Sequence, residues 1–163
     1  VGITLLGWLV TVGLDLFQNA GVFASFWREP GPAFLPPEKL FQRIPLSYVG
    51  FLISAGMFTW LMSRLKVFGW KQGVLFGLKL GGWLSIGWVL GSACVFPIKH
   101  SLLLVWFFGG LVQYISAAAV IGSGLSSDRL GRLSVRVIGL VVVLTVATIV
   151  MQNLGFAPPM QYK

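Results

Sequence analysis

Residues 3–26 read ITLLGWLVTVGLDLFQNAGVFASF. As a helix rising 1.5 Å per residue, this stretch crosses the ~30 Å hydrocarbon core of a bilayer. A soluble surface helix shows one apolar stripe and a charged back. Here apolar residues surround the axis, and the single carboxylate, Asp15, sits near the middle. The stretch reads as a membrane span, closed by Trp27 and Arg28, an aromatic and a cation at the interface. Val22-Phe23-Ala24 is shaped like a signal-peptidase site. The length of the run and the presence of Asp15 favour a retained span over a leader.

Four further apolar runs follow, at residues 46–63, 73–96, 102–125 and 135–154. Arg132 and Arg136 flank the last of them, which leaves a four-span alternative open. Residues 137–154 still suffice to cross with snorkelling ends. The sequence thus predicts an all-α polytopic transmembrane bundle of five spans, a four-span core plus a C-terminal helix, in one domain over residues 1–163. Composition agrees. Hydrophobic residues make up 56% and charged ones 10%, where a soluble domain carries about 25% charged. The mean hydropathy is +0.88. Between the first two runs, residues 28–45 hold Pro30, Pro32, Pro36, Pro37 and Pro45. Prolines at that density predict an extramembrane loop without a continuous helix. Within it, Pro37 suits the first turn of a short surface helix over residues 37–41.

The net charge is +8, from 12 basic and 4 acidic residues. The basic residues lie mostly in short loops between apolar runs, which points to topology and to anionic lipid headgroups rather than to nucleic acid. Arg64, Lys66, Lys71, Arg129, Arg132 and Arg136 fall on one side; Arg28, Lys39, Arg43, Lys99 and Lys163 fall on the other. That narrow excess places the N-terminus in the cytoplasm and the proline-rich loop outside. A bacterial inner membrane is the expected location. Cys94 is the only cysteine, so it offers no intramolecular disulfide and no zinc motif. It reads as a small buried helix residue.

Few residues inside the spans carry chemistry. Gly7, Thr11, Asp15 and Asn19 recur every four residues and share one face of the first span, with Gln18 beside them. A carboxylate at that depth costs about 2.5–3.5 kcal/mol on insertion scales, so Asp15 should face protein or water. Two roles stay open for it: an interhelical hydrogen-bond cluster, or a proton, cation or ligand site. Lys79, about two turns inside the third run, is the candidate partner; a lysine stem covers most of the axial gap to Asp15. Its alternative is to snorkel toward the headgroups. Gln113 lies mid-span in the fourth run, with Trp106 two turns before it on a similar side.

Small residues form ladders. Gly73, Gly77, Gly81 and Ser85 recur every four residues, Gly87 and Gly91 form a second pair, and Gly110, Ala118 and Gly122 stripe the fourth run. Such patterns let helix backbones approach closely in lipid, within the chain or against another subunit. His100, the only histidine, stands in a hairpin beside Lys99. It offers at most one axial ligand to a pigment or haem; otherwise it is an interfacial loop residue. The chain has no P-loop, no cysteine pair and no histidine pair. Hydrolytic or redox chemistry would have to come from partner chains. No metal or cofactor is expected from this chain alone, while bound lipid is.

Asp15-Leu16-Phe17-Gln18-Asn19-Ala20-Gly21, followed by Phe26-Trp27-Arg28 and a proline-rich loop, resembles a group of small uncharacterised bacterial multi-pass membrane proteins. Trp106-Phe107-Phe108-Gly109-Gly110 is similar to their last-span motif. The resemblance covers roughly the first four spans and implies no activity. Three function classes follow from the residues. The first is an accessory or scaffolding subunit of a larger respiratory or photosynthetic membrane complex, with other membrane subunits as partners. The second is a small transporter or proton/ion-conducting protein using Asp15 and Lys79. The third is a membrane-embedded enzyme or lipid-binding protein.

Overall fold

The computed structural model describes residues 2–27 and 34–157, with the backbone alone for Pro37 and Glu38. Helix α1 is Gly2–Phe17, α2 Pro37–Arg64, α3 Trp70–Val95, α4 His100–Leu125 and α5 Leu130–Asn153. The first helix continues through a π-helical turn, Gln18–Val22, and a 3-10 turn, Ala24–Trp27. Five helices are long and apolar enough to cross a membrane. The protein is therefore an integral membrane protein of all-α class. Its outer surface suits that setting: Trp83, Val95 and Val135 are each more than two-thirds exposed. Lipid tails solvate such side chains as well as a protein core would, so they carry no penalty there.

Two expectations are corrected. Residues 37–45 do not form a loop with a short separate helix; they are the first turns of α2, which runs unbroken to Arg64 with Pro45 inside it. Pro37 opens the helix where its missing N–H costs nothing. Pro45 removes one intrahelical donor, a loss that membrane helices absorb through nearby side chains. In the same turn, the Ser47 hydroxyl donates to the Ile44 carbonyl at 2.7 Å. Pro30 and Pro32 lie outside the described residues, as do Arg28 and the tail from Pro158 onward. Cys94 is exposed rather than buried. It sits two residues past Ser92, and a step of ~200° turns it to the far side of α3. Ser92 is the buried residue of that turn.

Packing centres on α1 and α4. Helix α1 touches α2, α4 and α5, and α3 docks almost entirely on α4. Glycine makes the α3–α4 seam close. A Cβ at Gly77 would stand 2.7 Å from the Ile115 Cα, and one at Gly73 would collide with the Ala118 carbonyl. In return, a Cβ at Gly122 would meet the Gly69 carbonyl oxygen at 2.7 Å. Gly69 has φ +86°, a left-handed conformation that glycine adopts freely. Its N–H donates to the Gly122 carbonyl at 2.8 Å, tying the α2–α3 turn to α4.

Phe58, Met62, Ala118 and Ile121 form one buried cluster where α2, α3 and α4 meet. Leu6, Val10 and Val137 form another between α1 and α5. Helix α5 lies against α1 through Gly13 and Val141, and Gln152 Nε2 donates to the Ala20 carbonyl at 3.0 Å. It starts five residues earlier than the apolar run suggests, at Leu130.

Candidate functional site

Helices α1 to α4 enclose a cavity of about 420 Å³ on the side where α1 ends. Its polar end is built by α1 and α4. The Asp15 Oδ1 accepts from Asn19 Nδ2 at 2.9 Å and from Gln113 Nε2 at 3.3 Å. Gln113 Nε2 also donates to Gln18 Oε1 at 2.9 Å. Gln18 Nε2 donates to the Gly109 carbonyl at 3.4 Å, and Trp27 Nε1 donates to Asn19 Oδ1 at 3.1 Å. The result is one connected chain of donors and acceptors from Trp27 to the α4 backbone. The π turn shapes it locally: Phe23 N–H reaches the Gln18 carbonyl five residues back, at 2.7 Å. Such wide turns interrupt an α-helix mostly where a site needs its side chains re-aimed.

Aromatic rings form the other walls. Trp27 and Phe34 meet edge to face with centroids 6.0 Å apart, Phe34 and Trp106 at 5.9 Å, and Trp88 and Trp106 at 6.4 Å. Trp106 precedes Gln113 by two turns on α4, while Trp27 is itself hydrogen-bonded to Asn19, so the collar adjoins the polar cluster. Phe58 stacks on Tyr114 at 5.5 Å at the opposite end. Helix α2 supplies Ser47, Phe51, Ser54 and Ala55 as one wall. Two contacts hold α2 to α1: Thr4 Oγ1 donates to Thr59 Oγ1 at 3.2 Å, and Trp8 Nε1 donates to the Tyr48 carbonyl at 2.9 Å.

Ser85 stands apart from the other polar groups. It lines the cavity from α3 and is only 4% exposed. Its hydroxyl oxygen has no hydrogen-bond partner among the described residues. Serines elsewhere in these helices donate back to the carbonyl of the preceding turn, as Ser54, Ser63 and Ser123 do. A buried hydroxyl left without such a bond carries a desolvation cost, roughly 1–3 kcal/mol in mutational data.

Thr11, Asp15, Gln18, Asn19 and Gln113 therefore come together around one cavity, with Thr11 Oγ1 donating to the Gly7 carbonyl. Lys79 does not join them. It is exposed, and it lies two residues from both Gly77 and Gly81, which face α4; that spacing turns it to the opposite side of α3. The expected Asp15–Lys79 pair does not form, because α3 presents its glycine face inward. The residues Gly73, Gly77, Gly81, Ser85, Gly110, Ala118 and Gly122 all lie along the α3–α4 seam, and Ser85 and Gly110 also border the cavity. His100 is exposed at the first position of α4 and does not line the cavity. Among the described residues no three His, Cys, Asp or Glu side chains cluster to hold a metal.

Sequence reasoning passed over the α2 wall. Ser47, Phe51, Ser54, Ala55 and Phe58 follow four-, three- and four-residue steps and share one face. That stripe lies within the apolar run 46–63 and was readable there, but two serines among apolar residues carry no signal beyond an ordinary span. Trp88, one turn after Ser85, carried no signal beyond an interfacial aromatic.

The chain matches no family model, no curated protein and no solved structure. Function is accordingly argued from the cavity alone.

Proposed function

We propose that this protein is a small-molecule binding protein of the transporter class, with its site in the cavity between α1 and α4 and Asp15 as the anchoring group. The observation that carries the reading is the intramembrane carboxylate of Asp15 bordering a cavity of this size; Ser85, whose buried hydroxyl has no partner among the described residues, borders the same cavity and packs against Gly110. A volume of about 420 Å³ falls in the range of small-molecule sites. Lys79 has no part in this reading. The glycine ladder adds nothing to it, because Gly73, Gly77 and Gly81 are occupied by α4 of the same chain.

The test is a thermal-shift panel of small amines, carboxylic acids and neutral alcohols on the protein solubilised in mild detergent. Gly110 borders the cavity, so Gly110→Leu fills it from the α4 side. At least one class should raise the unfolding temperature of the native protein and not that of Gly110→Leu. No stabilisation by any class, or equal stabilisation of both proteins, overturns the reading.

A second reading, an accessory subunit of a larger bacterial inner-membrane complex, draws on Gly87 and Gly91. Nothing lies within 4 Å of a Cβ at either position, so that small-residue pair is open to another helix. Partners that copurify after mild extraction and are lost in Gly87→Leu would favour it.

A further inference from the structure

We infer that the ligand of this cavity is a small organic cation, an alkylated ammonium held between the Asp15 carboxylate and the indole walls. The inference rests on the binding role proposed above and names its substrate class.

Charge is the first argument. Asp15 is the one charged residue among the described residues that line the cavity. The ten basic residues that the structure describes stand elsewhere, including Lys79 on the outer face of α3. The groups that contact Asp15 are neutral amides, from Asn19 and Gln113, and both reach Oδ1. They steady the carboxylate without supplying a positive charge. An anionic guest would meet an unopposed negative group. A cationic guest supplies the counter-charge that an intramembrane carboxylate ordinarily finds in its own protein.

The walls decide between an inorganic and an organic cation. A bare metal ion wants six or more oxygen ligands in a tight shell. Here one carboxylate faces a cavity of about 420 Å³ bordered by Phe23, Phe51, Trp88 and Trp106. Indole and phenyl faces carry negative quadrupole density and attract ammonium groups, most strongly when both are out of water. The Trp88–Trp106 pair, tilted at 45° with centroids 6.4 Å apart, presents two indoles to one space. Alkyl groups on the nitrogen match such walls, whereas a hydrated ion does not.

The experiment uses three probes on the detergent-solubilised full chain: benzyltrimethylammonium, its neutral carbon isostere neopentylbenzene, and benzenesulfonate. Binding is read from quenching of tryptophan fluorescence, with Gly110→Leu as the filled-cavity control. The ammonium should bind at least about ten-fold more tightly than the isostere, a preference of the size expected for a desolvated ion–carboxylate and cation–π contact. Asp15→Asn should erase that preference, and Asp15→Glu should keep most of it. Trp106→Leu should weaken the ammonium more than the isostere. Unfolding temperatures of each variant separate loss of binding from loss of fold. If the isostere or the sulfonate binds as tightly, and Gly110→Leu abolishes it, the cation assignment is wrong while the cavity remains a binding site. If all three probes behave alike in the native protein and in Gly110→Leu, the binding role falls with it.

Discussion

Gln113 is the residue on which the polar cluster turns. Its single amide nitrogen serves the carboxylate of Asp15 and the side-chain carbonyl of Gln18, and so bridges α4 to the end of α1. Gln113→Leu keeps most of the volume and removes both donors. An interhelical hydrogen bond in a membrane protein is worth about 0.6 kcal/mol on average. Losing two, and leaving Asp15 with Asn19 alone, should cost roughly 1–2 kcal/mol, visible as a lower unfolding midpoint in a denaturing-detergent titration. Lys79→Gln in the same titration should leave the midpoint unchanged, since Lys79 is exposed on the outer side of α3. A large loss there would restore it to the interior. Asp15, Gln18, Asn19 and Gln113 were legible as a group because a polar side chain in an apolar run must find company. Lys79 was left open between a pair with Asp15 and the headgroups for a physical reason. A long amphipathic stem satisfies itself at the headgroups, so its position along the helix says little about which face it occupies.

Among the elements, α3 shows how one helix presents two different glycine sets. Gly73, Gly77 and Gly81 lie against α4, while Gly82, Gly87 and Gly91 have nothing within 4 Å. Gly77→Val would drive a branched side chain into the α4 backbone beside Ile115, where no side chain can swing aside. Overpacking of this kind costs typically 1–3 kcal/mol, and backbone contact puts it at about the upper end. Gly87→Val should be tolerated to within about 0.5 kcal/mol in the monomer, as substitutions on an unpacked surface are. Comparing the two unfolding midpoints checks the assignment; equal losses would mean that the faces are not distinct. Four-residue spacing in the sequence marks both sets as possible seams and cannot say which one the chain itself fills. That depends on where α4 docks, which is a tertiary fact. The spans themselves were readable because length and hydropathy are local. The start of α2 was not, because the prolines at 30, 32, 36, 37 and 45 look alike in sequence, while Pro37 opens the helix and Pro45 stands inside it.

At the scale of the whole molecule, five crossings put the two ends of the chain on opposite sides of the membrane. The cavity lies between α1 and α4 near the side where α1 ends, and α5 packs behind α1 without lining it among the described residues. Sidedness therefore determines which compartment the aromatic collar of Trp27, Phe34, Trp88 and Trp106 looks toward. The basic residues of the described turns at 64–71 and 129–136 stand on the side where α1 begins. The positive-inside tendency predicts that this side is cytoplasmic and that the collar faces outward. Single cysteines in a Cys94→Ser background test this with a membrane-impermeant maleimide on intact cells. Ser127→Cys, in the α4–α5 turn, should stay unlabelled until the cells are opened, while His100→Cys, exposed at the start of α4, should label at once. The reverse pattern inverts the molecule and turns the cavity toward the cytoplasm. Labelling of both positions from one side contradicts the five-span arrangement itself, because α4 alone separates them. Under the proposed transporter reading the two results differ in consequence: with the collar outward a guest would reach Asp15 from outside, and with the molecule inverted it would reach the same carboxylate from the cell interior.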